Sequence, residues 1–546
     1  MPGIPGEQFD VLVIGGGITG CGVARDAAMR GLKVALIERD DFASGTSGRS
    51  SRLVHGGIRY LEHGQFHLVR ESIRERETLQ RIAPHLVKPL AFTWPIYQGA
   101  RVGRLKLAAG LFLYQLLALG KSRRHFSLSA KAALEREPSL LETGLTGAAV
   151  YYDACTDDAR LTVANAIAAE QSGAFVMSHT RVTEILRNGG KAVGVSVKSQ
   201  LMGETREMRA RVLVNATGVW QNELDGGART QRHRGSKGVH IAVPRERVGN
   251  RDAITMISAV DGRVMFCLPA GPQTIIGTTD TWTEESPEAV HAVQSDVDYL
   301  LRSANAYFPR ARLTVEDVVS AWAGIRPLVG QSNNPTAVSR EHSIALDGSG
   351  IIHVSGGKLT TYRSMAAEIV DQVQEVLGEK VRPVPTDSIE LPGADRGAEI
   401  ERLQREDPRF SQRLVPELPY TGGHLVYGVR REKAQTLSDL LIRRTHLAFE
   451  TRDHGRSIAV RAAEIVAPLL KWDEPTKSAR IREYEQDVGR MFAISGSQSP
   501  PSIAFRIRSS ETRFCSSRTA SGIALIAGPH SGWPASSLSS SSLSCA

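Results

Sequence analysis

The sequence predicts an α/β fold in which a βαβ core is assembled from separated segments, an α+β portion is inserted between them, and a helical portion follows. Three observations predict it. A strand-length apolar run, FDVLVI at 9–14, leads into a helical stretch at 18–30 that stops at Gly31, and a second apolar run, KVALIE at 33–38, follows. Two more strand-like runs ending in small residues recur far downstream, ARVLVNATGVW at 210–220 and IIHVSGG at 351–357. The residues between them, about 85–150 and 238–335, read as inserted material.

Taken in order, helical periodicity and charge run through 66–82 and again through 157–171, the second stopped by Gly173. AFVMSHTRVTEIL from 174 and AVGVSVKS from 192 alternate like strands. After IIHVSGG, the stretch KLTTYRSMAAEIVDQVQEVL reads as a glycine turn and a long helix. RPVPTDSIELPG at 382–393 reads as a linker to a third, helix-rich unit ending near Ile494. From Ser495 serine dominates and Glu511 is the only acidic residue, so 495–546 is expected to be a disordered tail.

A chain of 546 residues, 41% hydrophobic and 23% charged, has the length for two or three domains and the composition of a globular protein. The net charge of +9 points to anionic partners: a phosphate substrate, nucleic acid or an acidic membrane surface. Cys21, Cys155, Cys267, Cys515 and Cys545 are far apart and without metal spacing, which predicts a reduced intracellular protein with no structural metal. Glu7 precedes the first apolar run and Asp10 lies near its start, unlike the basic-then-apolar order of a signal peptide. The longest apolar stretch, 107–119 between Lys106 and Lys121, is shorter than the roughly 20 residues that span a bilayer, and reads either as a core helix or as an interfacial helix against anionic lipid.

The chemistry begins at Gly15-Gly16-Gly17-Ile18-Thr19-Gly20, a GxGxxG between a strand and a helix, with Glu38 at the end of the next strand. Gly15 suits the tight turn, Gly17 lets a pyrophosphate approach the positive helix N-terminus, Gly20 permits close helix-to-strand packing, and Glu38 would hold ribose hydroxyls. The core is therefore expected to be Rossmann-like and to bind a dinucleotide. Asn215-Ala216-Thr217-Gly218-Val219-Trp220 resembles a second flavoprotein motif, whose small residues pass beside a pyrophosphate; it favours FAD over NAD, with Ala216, Thr217, Gly218 and Trp220 as contacts. The 46–71 segment carries hydroxyls at Thr46, Ser47, Ser50 and Ser51, then His55, paired Gly56 and Gly57, and Arg59-Tyr60. At SGGKLTTYR, Gly356 and Gly357 aim a helix N-terminus headed by Lys358 so that its partial positive charge faces a flavin that gains negative charge on reduction.

HGGIRYLE at 55–62, with SKGVHIAVP at 236–244, IGTTDTW at 276–282, AGIRPLVG at 323–330, SREHSI at 339–344, SGGKLTTYR at 355–363 and THLAFETRDHGR at 445–456, closely resembles the FAD-dependent respiratory glycerol-3-phosphate dehydrogenases, within the glycine oxidase and D-amino-acid oxidase-like flavoproteins. The resemblance covers about 9–494. It implies an FAD-binding domain of 9–84, 151–237 and 336–381, a substrate domain of 85–150 and 238–335, and a helical domain of 382–494. It implies that the segment from Ser47 to Glu71 runs under the isoalloxazine ring, and it adds Val182, Leu359 and Thr360 to the FAD contacts.

It also implies oxidation of sn-glycerol 3-phosphate to dihydroxyacetone phosphate, with electrons passed to membrane quinone from the cytoplasmic face of the cell membrane; a related subgroup delivers them to oxygen. A homodimer is among the expected assemblies. Such a reaction needs a base, for which His55 and His240 are candidates of near-neutral pKa, left unranked. It needs fixed positive charge for the phosphate, for which Arg59, Arg326, Arg340 and Lys358 are candidates, with Tyr60 adding a hydroxyl. An amine or amino-acid oxidase of the same architecture would need a carboxylate clamp instead. A flavoprotein acting on tRNA would show a nucleic-acid motif or a basic stripe with interleaved aromatics, and neither is present, so no nucleic-acid partner is expected. A non-enzymatic flavin scaffold would lack the Arg, His and Lys set.

Overall fold

Two sheets share the work of the molecule, and the cavity described below is lined from both. The computed structural model describes residues 8–118, 123–224, 235–327 and 342–496. Arg340 and residues 497–546 lie outside the described residues, as does the side chain of Arg59.

The first sheet runs in the order His342–Leu346, Ile351–Gly356, Thr205–Asn215, Phe9–Ile14, Val34–Ile37, Phe175–Met177, and all but its antiparallel first strand are parallel. Its central strands Phe9–Ile14 and Val34–Ile37 are almost wholly buried because both faces are covered. Val11 and Val13 face the helices Ile18–Met29, Asp158–Gln171 and Tyr362–Leu377, while Leu12 and Ile14 face Val195 and Val197 of an antiparallel hairpin, Thr180–Asn188 with Lys191–Ser199. Asp157 caps its helix by accepting from the Arg160 N–H at 3.0 Å. The strand expected across 174–186 is broken at Ser178 and His179. His179 has φ +51°, its N–H donates to the Asp40 carbonyl, and its Nε2 lies 2.9 Å from Asp439, so a contact far along the chain overrides the local alternation.

The second sheet is mixed, in the order Thr281–Thr283, Gly235–Pro244, Gln273–Gly277, Val264–Ala270, Ala253–Ile257, Lys88–Tyr97, Leu145–Cys155, Leu53–Val54. Ser320–Pro327 adds to Gly235–Pro244, and Phe126–Ser129 to Leu145–Cys155. The helix Gln294–Tyr307 packs through Val297, Leu300, Leu301 and Ala304 against Val239, Ile241 and Ile276. Trp322, Phe92 and Ile275 instead share a core with the C-terminal helices Arg396–Glu406, Gly422–Arg431, Ala459–Leu470 and Glu474–Met491; the Trp322 and Phe449 rings meet edge-to-face at 5.0 Å.

The 382–393 stretch is not a free linker: Arg25 donates to the Ile389 carbonyl at 2.8 Å, the Leu391 N–H donates to the Ile82 carbonyl at 2.7 Å, and Leu391 is buried. The helix Arg104–Leu117 is only in part a core helix. Leu107, Leu111 and Tyr114 are buried, yet Leu105 is 88% and Phe112 66% exposed. No helix among the described residues is long and apolar enough to cross a membrane.

Candidate active site

A cavity of about 800 Å3 is lined by both sheets and by the 44–60 segment, a size that suits a cofactor with a small substrate. At one end backbone does the shaping. Gly15 has φ +110°, and a Cβ there would lie 2.6 Å from the Ala216 carbonyl oxygen. A Cβ on Gly20 would lie 1.9 Å from the Gly15 oxygen, so Gly20 acts in packing and does not itself line the cavity. Gly17 precedes the helix Ile18–Met29 and lines the cavity, leaving the helix N-terminus open to an anion. Ser47 Oγ accepts from the Ile18 N–H at 2.9 Å. Glu38 also lines the cavity, and its carboxylate accepts from the Gly16 N–H at 2.5 Å and the Asp40 N–H at 2.8 Å. Burial nevertheless pushes its pKa up to about 7.

Ala216, Thr217, Gly218 and Trp220 border the same end, with Val182 from the facing hairpin. Gly356, Gly357, Lys358, Leu359 and Thr360 border it from the last parallel strand. Lys358 precedes a single 3-10 turn, Leu359–Thr361, and the α-helix proper starts at Tyr362, so the positive helix end is one turn farther along than the sequence suggests.

The hydroxyl-rich loop lines the cavity, but its side chains are largely spent on tying the loop down. Thr46 donates to the Ile325 carbonyl at 2.7 Å, Ser50 donates to Asp158 at 2.6 Å, and Ser51 Oγ lies 2.8 Å from His240 Nε2. Gly56 and Gly57 are absent from the lining. A Cβ on Gly56 would meet the Tyr114 hydroxyl at 2.1 Å, and Gly57, at φ +74°, lets the buried Tyr60 ring fold back over it.

At the other end side chains do the shaping. His240, 2% exposed, stacks on Trp322 at 5.4 Å and its Nδ1 has no hydrogen-bond partner among the described residues. Burial first, then Arg326 and Arg52, push its pKa down to about 3, so the imidazole is neutral. Arg326 lines the cavity from the adjacent strand, its Nη2 donating to Thr278 Oγ1 at 3.0 Å. The Lys358 ammonium sits 3.9 Å from the centroid of the Tyr60 ring. His55 lines the cavity as well, its N–H donating to Thr360 Oγ1 at 3.2 Å.

Sequence reasoning missed Arg39, Arg49, Gly238 and Gly324, all in the lining. Arg39 follows Glu38 directly and lies 5.1 Å from the Trp220 ring centroid. Gly238 and Gly324 pair in register across two strands, inside segments that the sequence already marked. Asp41, His179 and Asp439 approach one another as metal ligands do, but Arg443 donates to both carboxylates and Arg444 donates to Asp41 through two nitrogens, so the group is an ion-pair network joining the 38–45 loop to the C-terminal helices.

These features fit FAD. A tight turn in which Gly15 abuts the Ala216 carbonyl, a helix N-terminus that lines the cavity at Gly17 and Ile18, and an acid at the end of the second strand together suit an adenosine pyrophosphate. Residues 10–370 match the FAD dependent oxidoreductase family, and 394–477 match the C-terminal domain of alpha-glycerophosphate oxidase. Glycerol-3-phosphate dehydrogenase 2 of Mycobacterium bovis is 39% identical over 91% of this chain and 90% of its own. Aerobic glycerol-3-phosphate dehydrogenase of Staphylococcus saprophyticus is 34% identical over 88% and 94%. The X-ray structure of the glycerol-3-phosphate dehydrogenase from Bacillus halodurans complexed with FAD superimposes with a TM-score of 0.71 at 31% identity, covering 89% of this chain and 95% of that one. A cavity of this construction, under matches that span both the α/β core and the helical C-terminal part, makes the chain a member of the FAD-dependent oxidoreductases and, within them, of the glycerol-3-phosphate dehydrogenase family.

Proposed function

We propose that the protein oxidises sn-glycerol 3-phosphate to dihydroxyacetone phosphate and passes the electrons to a membrane quinone. The observation that carries this reading is the meeting, in one cavity, of a neutral buried histidine with the cations Arg326 and Lys358. FAD bound there would supply the acceptor for the hydride of the carbinol carbon. Gly15, Gly17, Glu38, Thr217, Gly357 and Thr360 would hold it. Arg326 and Lys358, with Arg59, Arg340 and the Tyr60 hydroxyl, bind the phosphate. His240 takes the hydroxyl proton. Its low basicity stems partly from Arg326, and a phosphate dianion that neutralises Arg326 raises that basicity as substrate binds, which favours His240 over His55 as the base.

The FAD-carrying segments are 9–84, 151–237 and 336–381, and 85–150 with 238–335 build the substrate side. Delivery to quinone rests on the helix Arg104–Leu117. Leu105, Phe112 and Leu116 are exposed on it beside Arg101, Arg104 and Lys106, an apolar face with basic flanks that suits an anionic membrane on the cytoplasmic side. A homodimer is compatible with such seating. The match of 394–477 to an oxidase domain favours a second reading, with oxygen as acceptor.

Anaerobic titration of the purified protein with glycerol 3-phosphate tests the substrate. The flavin absorbance should bleach with glycerol 3-phosphate and persist with glycine; persistence with both defeats the proposal. Reoxidation by a soluble quinone against air then separates the two acceptors.

A further inference from the structure

We propose that Asp280, acting with Thr278 across the gap left by Gly238, is a positioning residue that holds the Arg326 guanidinium in the orientation needed to receive a phosphate. The inference rests on the reading of Arg326 as a phosphate ligand. It concerns how that ligand is fixed.

Arg326 Nη1 lies 3.2 Å from Asp280 Oδ1, and Nη2 lies 3.0 Å from Thr278 Oγ1, so each terminal nitrogen is held by a different residue of one short segment. Nη1 also faces the Thr279 carbonyl at 3.4 Å. The Asp280 side chain is 3% exposed and is itself held: it accepts from Ser236 and pairs with Arg263 at 3.3 Å. The guanidinium also lies close to Gly238, where a Cβ would come 2.4 Å from Nη2 and 2.7 Å from Cζ. The fork is thus gripped at both terminal nitrogens and has no room for a side chain beneath it.

Two consequences follow. An arginine ordered before its ligand arrives loses less rotamer freedom on binding, so positioning strengthens recognition. The Asp280 carboxylate is also a countercharge to Arg326, shared with Arg263, which pairs with Asp261 as well at 3.8 Å, so a phosphate competes with Asp280 for the guanidinium. These consequences give opposite signs when Asp280 is changed. If the carboxylate mattered only as countercharge, removing it would leave more positive charge and tighten phosphate binding. If it positions Arg326, removing it loosens binding.

The test is a double-mutant cycle on the FAD-loaded enzyme, with Asp280→Ala, Arg326→Lys and the pair, read as KM and kcat for glycerol 3-phosphate. Asp280→Ala should raise KM about 10-fold with kcat lowered by less than about 3-fold, and it should change KM by less than about 3-fold once Arg326 is lysine. Asp280→Asn keeps an acceptor oxygen and should recover most of the loss. Should Asp280→Ala fail to hold flavin, Thr278→Val and Gly238→Ala approach the same guanidinium from its other contacts and should show the same dependence on Arg326. Additive effects in the cycle, or a lowered KM in Asp280→Asn, overturn the positioning role while leaving Arg326 as the ligand. If Arg326→Lys leaves the preference for glycerol 3-phosphate over glycerol intact, the phosphate assignment falls and this inference with it.

Discussion

The two ends of the cavity are built by opposite means. At the dinucleotide end the walls are largely backbone: Gly15 abuts the Ala216 carbonyl, Gly17 and Gly218 line the cavity without side chains, and the helix N-terminus supplies the charge. At the substrate end the walls are side chains brought together from Ser51, His240, Arg326 and Lys358, and their properties depend on one another, since Arg326 lowers the basicity of His240 and Ser51 holds its Nε2. Damage to the first end should therefore act through space and cofactor retention. Damage to the second should act through charge and proton transfer, with the cofactor still in place.

The largest effect belongs to the substrate end. His240→Gln keeps a hydrogen-bonding side chain beside Ser51 but cannot take a proton, and kcat should fall by about 100- to 10,000-fold, the usual reach of a general base. Flavin content should match that of the unaltered protein, and KM should move little. If His55→Gln loses the most activity instead, with His240→Gln near normal, the base lies at the other histidine and the division of roles drawn above breaks.

The same contrast separates what is legible in the sequence from what is not. The strand at 9–14, the helix at 66–82 and the glycine turn were legible because each is specified by residues a few positions apart. The break at His179 was not, because its cause, Asp439, lies 260 residues away. Nor was the pinning of 382–393, which depends on Arg25 and Ile82. In the loop at 46–51 the residue types pointed to the cavity, but their partners were invisible. Thr46, Ser50 and Ser51 are bonded to Ile325, Asp158 and His240, and only tertiary pairing shows that these hydroxyls brace the loop. At the substrate end, single histidines and arginines carry no periodic signal, and family motifs alone picked them out.

A smaller effect is expected from Gly20→Ala. The new Cβ would have to displace the Gly15 carbonyl, a backbone atom that cannot swing aside, so the helix must shift on the strand at a cost of about 1–3 kcal/mol. Thermal unfolding should move down and the flavin-to-protein absorbance ratio should drop, while whatever flavin remains bound still bleaches with glycerol 3-phosphate at the normal rate. A variant with full flavin but a slowed reduction step would mean that the two ends are mechanically coupled.

The smallest effect is a pH dependence at the dinucleotide end, carried by Glu38. Burial lifts its pKa to about 7 in the FAD-free protein, although two backbone N–H groups already favour the ionised form. The unfolded chain gives up this proton near pH ~4.3, so between about pH 4.3 and 7 the native state binds more protons than the unfolded state. From this group, the stability of the FAD-free protein therefore falls as pH rises through that window and is level above it. Ribose hydroxyls donating to Glu38 would add to the donors that favour the carboxylate, drawing its pKa down and releasing a proton when FAD binds. Affinity for FAD should then rise with pH up to about 7 and flatten beyond it, by about 10-fold at most per pH unit for one linked proton. Glu38→Gln has no proton to release, so its FAD affinity should be weaker at pH 8 and nearly independent of pH between 5 and 8. Quenching of flavin fluorescence on titrating FAD into the apoprotein gives both curves. A slope in Glu38→Gln equal to that of the unaltered protein would place the linked proton on another group and take Glu38 out of contact with the ribose.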